Sequence, residues 1–319
     1  MKVVGVRRFG GPEVLEVFDA PEPHAGPGEV RIRVHAATVN PGDRDMRIGA
    51  VALAAPAPPY IPGMEAAGVL DEIGPGTATG LRTGEHVMAM VMPNRREGGA
   101  YAEYVVLPAD WVAAAPAGAS HAQAATLPMN GLTARQALDL LDLAPGQILA
   151  VTGGAGAVGG NVVQLAKADG LEVVADCAPR DADLLRSLGA DLLVVRGDDV
   201  ADRFLEAVPG GVDGLLDGAV IGTSRLVRAV RDGGGIAAVR GEVPDRARVV
   251  EMNRRRITPH MVNVPNSLGD QRRMAALRHA AESGALTLRV AKTLPPEQAA
   301  EAHRMMEAGG TRGRIVLTF

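Results

Sequence analysis

Apolar and polar residues change rhythm along this 319-residue chain. In the first third they alternate over short runs cut by Gly and Pro. Val30 to Val34 (Val-Arg-Ile-Arg-Val) repeats at period two, as a strand with one wet face does. Glu65 to Ile73, His86 to Val91 and Ala100 to Leu107 read as further strands, parted by Gly74-Pro75-Gly76 and Pro93-Asn94. Short strands at this spacing predict a small barrel or sandwich.

From about Ser120 the pattern turns to alternating helices and strands. Ser120 caps a helix through Thr126, and Thr133 to Leu141 is a second helix, ending before Pro145. Ile148 to Val151 is then a strand, and Asn161 to Ala168 a helix. The alternation continues with strand Leu171 to Cys177, helix Asp181 to Leu188, strand Leu192 to Val195 and helix Asp199 to Val208. Strand Gly214 to Val220, helix Ser224 to Arg231 and strand Gly235 to Val239 complete it. Such alternation requires a parallel, doubly wound sheet. The tail reads as strand Leu286 to Val290, helix Pro296 to Glu307 and strand Gly313 to Phe319, rejoining the first domain. The expected division is therefore 1–120 with 287–319 as one domain, and 121–286 as a second, inserted one.

The chemistry begins in the run Thr152-Gly153-Gly154-Ala155-Gly156-Ala157-Val158-Gly159. It joins a strand to a helix, the order that a dinucleotide's pyrophosphate needs. Gly154 permits a tight turn, Gly156 lets the backbone approach phosphate oxygens, and Gly159 lets the helix pack closely on the strand. The N–H groups and positive dipole end of the helix then face the anion.

Composition narrows the alternatives. Hydrophobic residues are 47% and charged residues 22%, ordinary for a globular protein. A net charge of −4 offers no attraction for nucleic acid or an anionic membrane, and Arg254-Arg255-Arg256 reads as a solvated patch. One cysteine, Cys177, excludes an internal disulfide and a cysteine-rich metal cage. No apolar run suffices to span a bilayer, and no leader follows Met1, so a cytoplasmic protein is expected.

Several segments together resemble the zinc-free quinone oxidoreductase (zeta-crystallin-like) branch of the medium-chain dehydrogenase/reductase superfamily. They are Ala37-Thr38-Val39-Asn40-Pro41-Gly42-Asp43, Ile61-Pro62-Gly63-Met64-Glu65-Ala66-Ala67-Gly68-Val69, and Gly99-Ala100-Tyr101-Ala102-Glu103-Tyr104-Val105. Asn130-Gly131-Leu132-Thr133-Ala134-Arg135-Gln136-Ala137-Leu138, the glycine turn and Gly313-Arg314-Ile315-Val316-Leu317 complete the collinear set. The resemblance implies an α/β protein: a GroES-like β domain plus a Rossmann doubly wound parallel-sheet domain, with substrate and nicotinamide in the cleft between them. It also implies a homodimer joined near Gly233 to Glu242.

Zinc-dependent relatives use two thiolates and an imidazole. At those positions stand Asn40, Met64 and a residue near Met129, which make no competent Zn²⁺ site, so no metal is expected. The implied activity is zinc-independent hydride transfer from NADPH to a small quinone or reactive α,β-unsaturated carbonyl. The alternatives are a stand-alone enoyl-thioester or 2-alkenal reductase, or a non-catalytic NADPH-binding structural or sensing protein. The absence of a hydroxyl in Ala50-Val51-Ala52-Leu53 argues against a tyrosine proton donor there. That stretch, with Pro56, Pro58 and Pro59, suggests an apolar rim.

Candidate catalytic residues are Asn40, Asp43 and Tyr60: Asn40 as donor or orienter, Tyr60 as phenolic donor, and Asp43 fixing the Asn40 loop or capping its turn. Tyr101 and Tyr104 read as packing residues. Asn40, Thr133, the run Thr152 to Gly159, Asp176, Cys177, Arg180, Val220 and Arg314 are the candidate cofactor residues. Thr133 is placed at a helix start, as nicotinamide contact or N-cap or both. By the family resemblance the acidic position that would select NADH falls on Cys177, and alternation turns Asp176 to the opposite face; a one-residue slip would instead put Asp176 in the pocket, where it would repel a 2′-phosphate. Arg180, aided by Lys167 or Arg314, would meet a 2′-phosphate. NADPH is therefore favoured over NADH.

Overall fold

The computed structural model describes residues 1–55, 57–240 and 246–319. Pro56 of the apolar stretch and Glu242 of the expected dimer segment lie outside the described residues. Two compact units emerge: Met1–Met129 with Leu268–Gly284 and Leu288–Phe319, and Asn130–Ser267 with Ala285–Thr287.

In the first unit, β1 (Lys2–Val6) and β2 (Leu15–Asp19) pair antiparallel. β3 (Glu29–Thr38) leads into helix α1 (Pro41–Arg47), followed by β4 (Glu65–Ile73), β5 (His86–Met90), β6 (Tyr104–Pro108) and β7 (Val112–Ala114). The short helix α2 (His121–Ala124) is capped by Ser120, whose hydroxyl accepts from the Gln123 N–H. β3 is the hub, pairing antiparallel with both β4 and β6. Its alternation is the reason: Val30, Ile32 and Val34 are buried in the core while Arg31 lies over the Tyr104 ring.

Helix α3 (Pro128–Leu141) starts in the first unit and continues into the second, leading to β8 (Ile148–Thr152), α4 (Ala157–Ala168), β9 (Glu172–Cys177), α5 (Ala182–Ser187) and β10 (Leu192–Val195). Then come α6 (Val200–Ala207), β11 (Val212–Asp217), α7 (Thr223–Leu226), β12 (Val230–Ala238), α8 (Arg246–Arg255) and β13 (Thr258–Met261). The sheet order is β10-β9-β8-β11-β12-β13, with every pair parallel. This is the doubly wound dinucleotide-binding order, and it reverses between β8 and β11. Both sheet faces are covered, so β8 and β9 are nearly continuous apolar runs.

The chain then supplies α9 (Gln271–Glu282), β14 (Val290–Leu294), α10 (Ala299–Ala308) and β15 (Arg314–Thr318) to the first unit. β15 pairs parallel with β14 and antiparallel with β3.

Several expected elements shift, three of them in ways that bear on the site or the division of the chain. The helix expected from Thr133 begins at Pro128, because proline suits the first helical position, where its missing N–H costs nothing. Thr133 is thus in the second turn, not at the start. The strand expected from Ala100 begins at Tyr104, because the Ala100 and Tyr101 N–H groups donate to Gly63 and Pro62 carbonyls instead. The first tail strand is Val290–Leu294, not Leu286 to Val290. Among the described residues no helix is long and apolar enough to cross a membrane.

Candidate functional site

In the second unit, the glycine turn occupies the carboxyl end of β8. Gly153 adopts φ of 70°, and Gly156 caps α4 in an extended conformation. The first helical residues are Ala157, Val158 and Gly159, whose N–H groups face out of the helix end. A Cβ on Gly159 would lie 2.3 Å from the Gly153 carbonyl oxygen, so only glycine lets helix and turn approach this closely. This is the backbone cradle that a pyrophosphate requires.

Two buried carboxylates clamp the turn from the flanking strands. Asp176, on β9, accepts the Gly153 N–H at 2.7 Å. Asp217, at the end of β11, accepts the Thr152 hydroxyl at 2.9 Å and the N–H groups of Ile221 and Gly222 at 3.0 and 2.8 Å. Asp176 is therefore not turned to the opposite face, as alternation predicted: the N–H of the glycine turn draws it in. Burial raises its pKa above the ordinary carboxylate range, opposed by its bonds to the Gly153 and Gly154 backbone and by Arg196. Asp217 was missed in the sequence; the Asp217-Gly218 pair closing an apolar strand beside the glycine turn is its signal.

The other expected residues of this unit stand on several different elements. Cys177 is buried next to Asp176, and its thiol pKa is raised by burial and then by Asp176 and Asp181. Arg180 is exposed just beyond β9. Val220 lies in the loop that Asp217 holds, exposed, with φ of 58°. That angle is costly for a β-branched side chain and marks a backbone fixed by its surroundings. Thr133 is buried within α3. Lys167 does not serve as expected: it is in the last turn of α4 and pairs with Asp191 at 2.8 Å.

In the first unit, β3, α1, β4 and β15 bring Asn40, Asp43 and Arg314 around a buried carboxylate, Glu65. Glu65 Oε1 accepts from the Thr38 hydroxyl and from Arg314 at 3.2 Å, and Oε2 accepts the Met129 N–H at 2.8 Å. The Asn40 amide donates to the Thr38 hydroxyl at 3.0 Å. Glu65 was not among the expected site residues; only its place in the Gly63-Met64-Glu65 segment hinted at it.

Asp43 ties this cluster to a second one. Its Oδ2 accepts the Asn40 N–H at 2.8 Å and its Oδ1 the Gly63 N–H at 2.8 Å. Gly63 adopts φ of 111°, and a Cβ there would fall 2.6 Å from the Ala100 and Tyr101 nitrogens. Tyr101, read from sequence as a packing residue, bonds to Asp43 through its hydroxyl at 3.3 Å and to His303 Nε2 at 3.2 Å. Arg47 reaches His303 Nδ1 at 3.1 Å, the Gly10 carbonyl at 3.1 Å and Glu307 at 2.7 Å. Burial pushes Asp43 up to about 7, against the opposing pull of the Asn40 and Gly63 N–H groups, Arg314 and Tyr101. Burial and the adjacent Arg47 push His303 down to about 3.

Tyr60 stands outside both clusters. Its ring stacks on Phe9 at 5.5 Å and borders a hollow of about 100 Å³ with Met46, Leu53, Pro59 and Pro93. A larger cavity of about 450 Å³, lined by Leu81, Val112, Met274 and Arg278, shares no residue with the polar clusters. Chemistry needs convergent polar groups, so the smaller clusters and not the larger cavity define the candidate site.

Zinc does not fit these residues. Glu65 is spent on hydroxyl, guanidinium and backbone donors, its neighbours are an amide and thioethers, and among the described residues no group of three or more His, Cys, Asp or Glu is placed to hold a metal ion. A nicotinamide dinucleotide does fit the second unit, whose glycine turn, α4 and Thr152–Asp217 contact form a phosphate cradle at a sheet switch point.

A fold and cradle of this kind suit a nicotinamide dinucleotide. Residues 26–117 match the alcohol dehydrogenase GroES-like domain, and residues 188–317 match the zinc-binding dehydrogenase domain. The chain is 30% identical to an alcohol dehydrogenase from Geobacillus stearothermophilus, over 99% of each chain. It is 31% identical to a 2-methylene-furan-3-one reductase from Solanum lycopersicum and 32% identical to an NADPH-dependent alkenal/one oxidoreductase from Arabidopsis thaliana. Those matches take in 76% and 74% of this chain but only 63% and 61% of the plant proteins. Among solved structures, a quinone oxidoreductase from Coxiella burnetii aligns with TM-score 0.85 at 27% identity, over 100% of this chain and 99% of that one. A mycobacterial protein complexed with NADPH aligns at 0.87 and 29%, and an NAD-dependent alcohol dehydrogenase at 0.90 and 29%, each over 100% of both chains. The chain belongs to the medium-chain dehydrogenase/reductase superfamily, an oxidoreductase family that binds a nicotinamide cofactor.

Proposed function

We propose that this protein reduces small quinones or α,β-unsaturated carbonyls with NADPH and without zinc. The observation that carries the reading is the cluster around Glu65. Where a metal-dependent alcohol dehydrogenase needs a Lewis acid, this chain offers an amide, Asn40, held by Thr38 and Asp43. Without a metal to polarise an alcohol, an acceptor that is already activated is the suitable substrate. The names of the plant relatives, an alkenal/one oxidoreductase and a furanone reductase, support the same acceptor class.

When bound, NADPH supplies the hydride. Thr152 and the turn Gly153 to Gly159 would hold its pyrophosphate, with the N-terminus of α4 neutralising charge. Arg180 would meet the 2′-phosphate. Asp176 accepts the Gly153 N–H through one carboxylate oxygen. Asn40, oriented through Thr38 and Asp43, is the candidate for contacting the nicotinamide end and the acceptor oxygen, where negative charge develops. The acceptor's proton would come from water, because Tyr60 stands apart and Tyr101 is fully buried.

Steady-state oxidation of NADPH and NADH in parallel, with p-benzoquinone and a 2-alkenal, tests the reading. Turnover with NADPH that survives a strong chelator is expected. Turnover only with an alcohol and added zinc would overturn it.

A further inference from the structure

We propose that His303 is a positioning residue of this site, locked by Arg47 into its Nε2–H tautomer, so that Tyr101 must donate to Asp43 and Asp43 in turn holds Asn40. The proposal rests on the reading of Asn40 as part of the reductase site.

The argument is donor counting along a buried chain. A guanidinium has donors only, so the Arg47 contact to Nδ1 at 3.1 Å requires a lone pair on that nitrogen. The neutral ring then carries its proton on Nε2, which donates to the Tyr101 oxygen at 3.2 Å. With its oxygen accepting from His303, the Tyr101 hydroxyl proton is left for Asp43, 3.3 Å away. Asp43 therefore receives three donors, the N–H groups of Asn40 and Gly63 and the phenol. Arg47 is itself fixed by Gly10 and Glu307, so the polarity of the whole chain is set from one end.

This polarity cannot reverse. A proton arriving on Asp43 would meet an oxygen that already faces a donor. Backbone N–H groups cannot turn, so Tyr101 would have to accept from Asp43 and donate to His303. His303 would then carry its proton on Nδ1, against the Arg47 guanidinium. Proton uptake by Asp43 therefore sets a carboxyl O–H against a donor and loosens the hold on Asn40 and Gly63. The groups facing this chain are Arg47 on α1, His303 and Glu307 on α10, Tyr101 ahead of β6, Arg314 on β15 and Glu65 on β4.

Nitrogen-resolved NMR of histidine-labelled protein reads the tautomer directly, with His303 assigned by the signal lost in His303→Gln. An Nε2–H ring that stays neutral through mildly acidic pH is expected; an Nδ1–H ring or an imidazolium would overturn the proposal. The backbone amides of Asn40 and Gly63 should titrate together in the wild type. In His303→Phe, which keeps the bulk and loses both ring nitrogens, their midpoint should move up by about one unit, a tenfold change in proton affinity. His303→Gln, able to accept from Arg47 and donate to Tyr101, should restore the wild-type midpoint. Identical midpoints in wild type and His303→Phe would also overturn the proposal. In turnover, kcat of His303→Phe should follow the shifted midpoint with KM for NADPH unchanged. Wild-type protein that turns over no acceptor would sink the reductase reading, while the tautomer and amide titrations would still decide the role of His303.

Discussion

The Thr152 hydroxyl donates to the Asp217 carboxylate at 2.9 Å, joining the carboxyl ends of β8 and β11 where the strand order reverses. That contact fixes the floor of the dinucleotide cradle. Asp217 also carries the Ile221 and Gly222 N–H groups, so one carboxylate organises the loops after both strands. Asp217→Asn places an NH₂ against these donors. It should cost about 1–3 kcal/mol of stability and weaken NADPH binding, read by thermal denaturation and calorimetric titration.

Gly159 and Gly156 should separate packing from anion approach. A Cβ on Gly159 meets backbone at 2.3 Å, whereas one on Gly156 meets only the Gly153 oxygen, at 3.1 Å. Gly159→Ala is expected to lower Tm and NADPH affinity together. Gly156→Ala should leave Tm nearly unchanged and lose roughly tenfold in affinity, because its methyl enters the phosphate approach. Equal effects on both quantities in the two variants would contradict the cradle.

Asp43 should make stability fall with rising pH. Its folded-state pKa is raised to about 7, from an ordinary value of 3.8, by burial. The folded protein therefore binds more protons than the unfolded chain between those values. The stability from this group is full below about 4 and is lost as pH rises through about 7. His303, pushed down to about 3, works in the opposite sense: its contribution is present above its ordinary 6.5 and is lost as pH falls through about 3. The difference in Tm between wild type and Asp43→Asn isolates the Asp43 contribution. It should shrink or change sign from pH 5 to pH 8; a flat difference would remove Asp43 as the titrating group.

Arg180 is exposed beyond β9, on the strand whose Asp176 is turned into the glycine turn. Arg180→Ala should raise KM for NADPH by roughly tenfold and leave KM for NADH nearly unchanged. Parallel initial-rate measurements check it, and an equal rise for both cofactors would place the 2′-phosphate elsewhere.

What the sequence revealed was local. The glycine turn, β4 and the alternating second unit are each written in neighbouring residues, and the resemblance assembled them into the α/β fold observed. Thr133 and Asp176 were misplaced because their surroundings are settled by neighbours outside their own runs: Pro128 starting the helix early, and the turn N–H drawing in a carboxylate. The chain from Asp43 to Arg47 was not legible. Its partners lie 58, 202 and 256 residues apart, and a tyrosine or histidine in such a role has no local signature. Arg47 and His303 meet only because α1 and α10 pack together in one unit.

The most direct test of the account is isotope transfer. Protein stripped of metal by a chelator would be given NADPH deuterated at the hydride position and an α,β-unsaturated ketone in ordinary water. The account predicts deuterium at the β-carbon of the saturated product and a solvent proton at the α-carbon. Failure to transfer the label, or transfer only after zinc is restored, would contradict it.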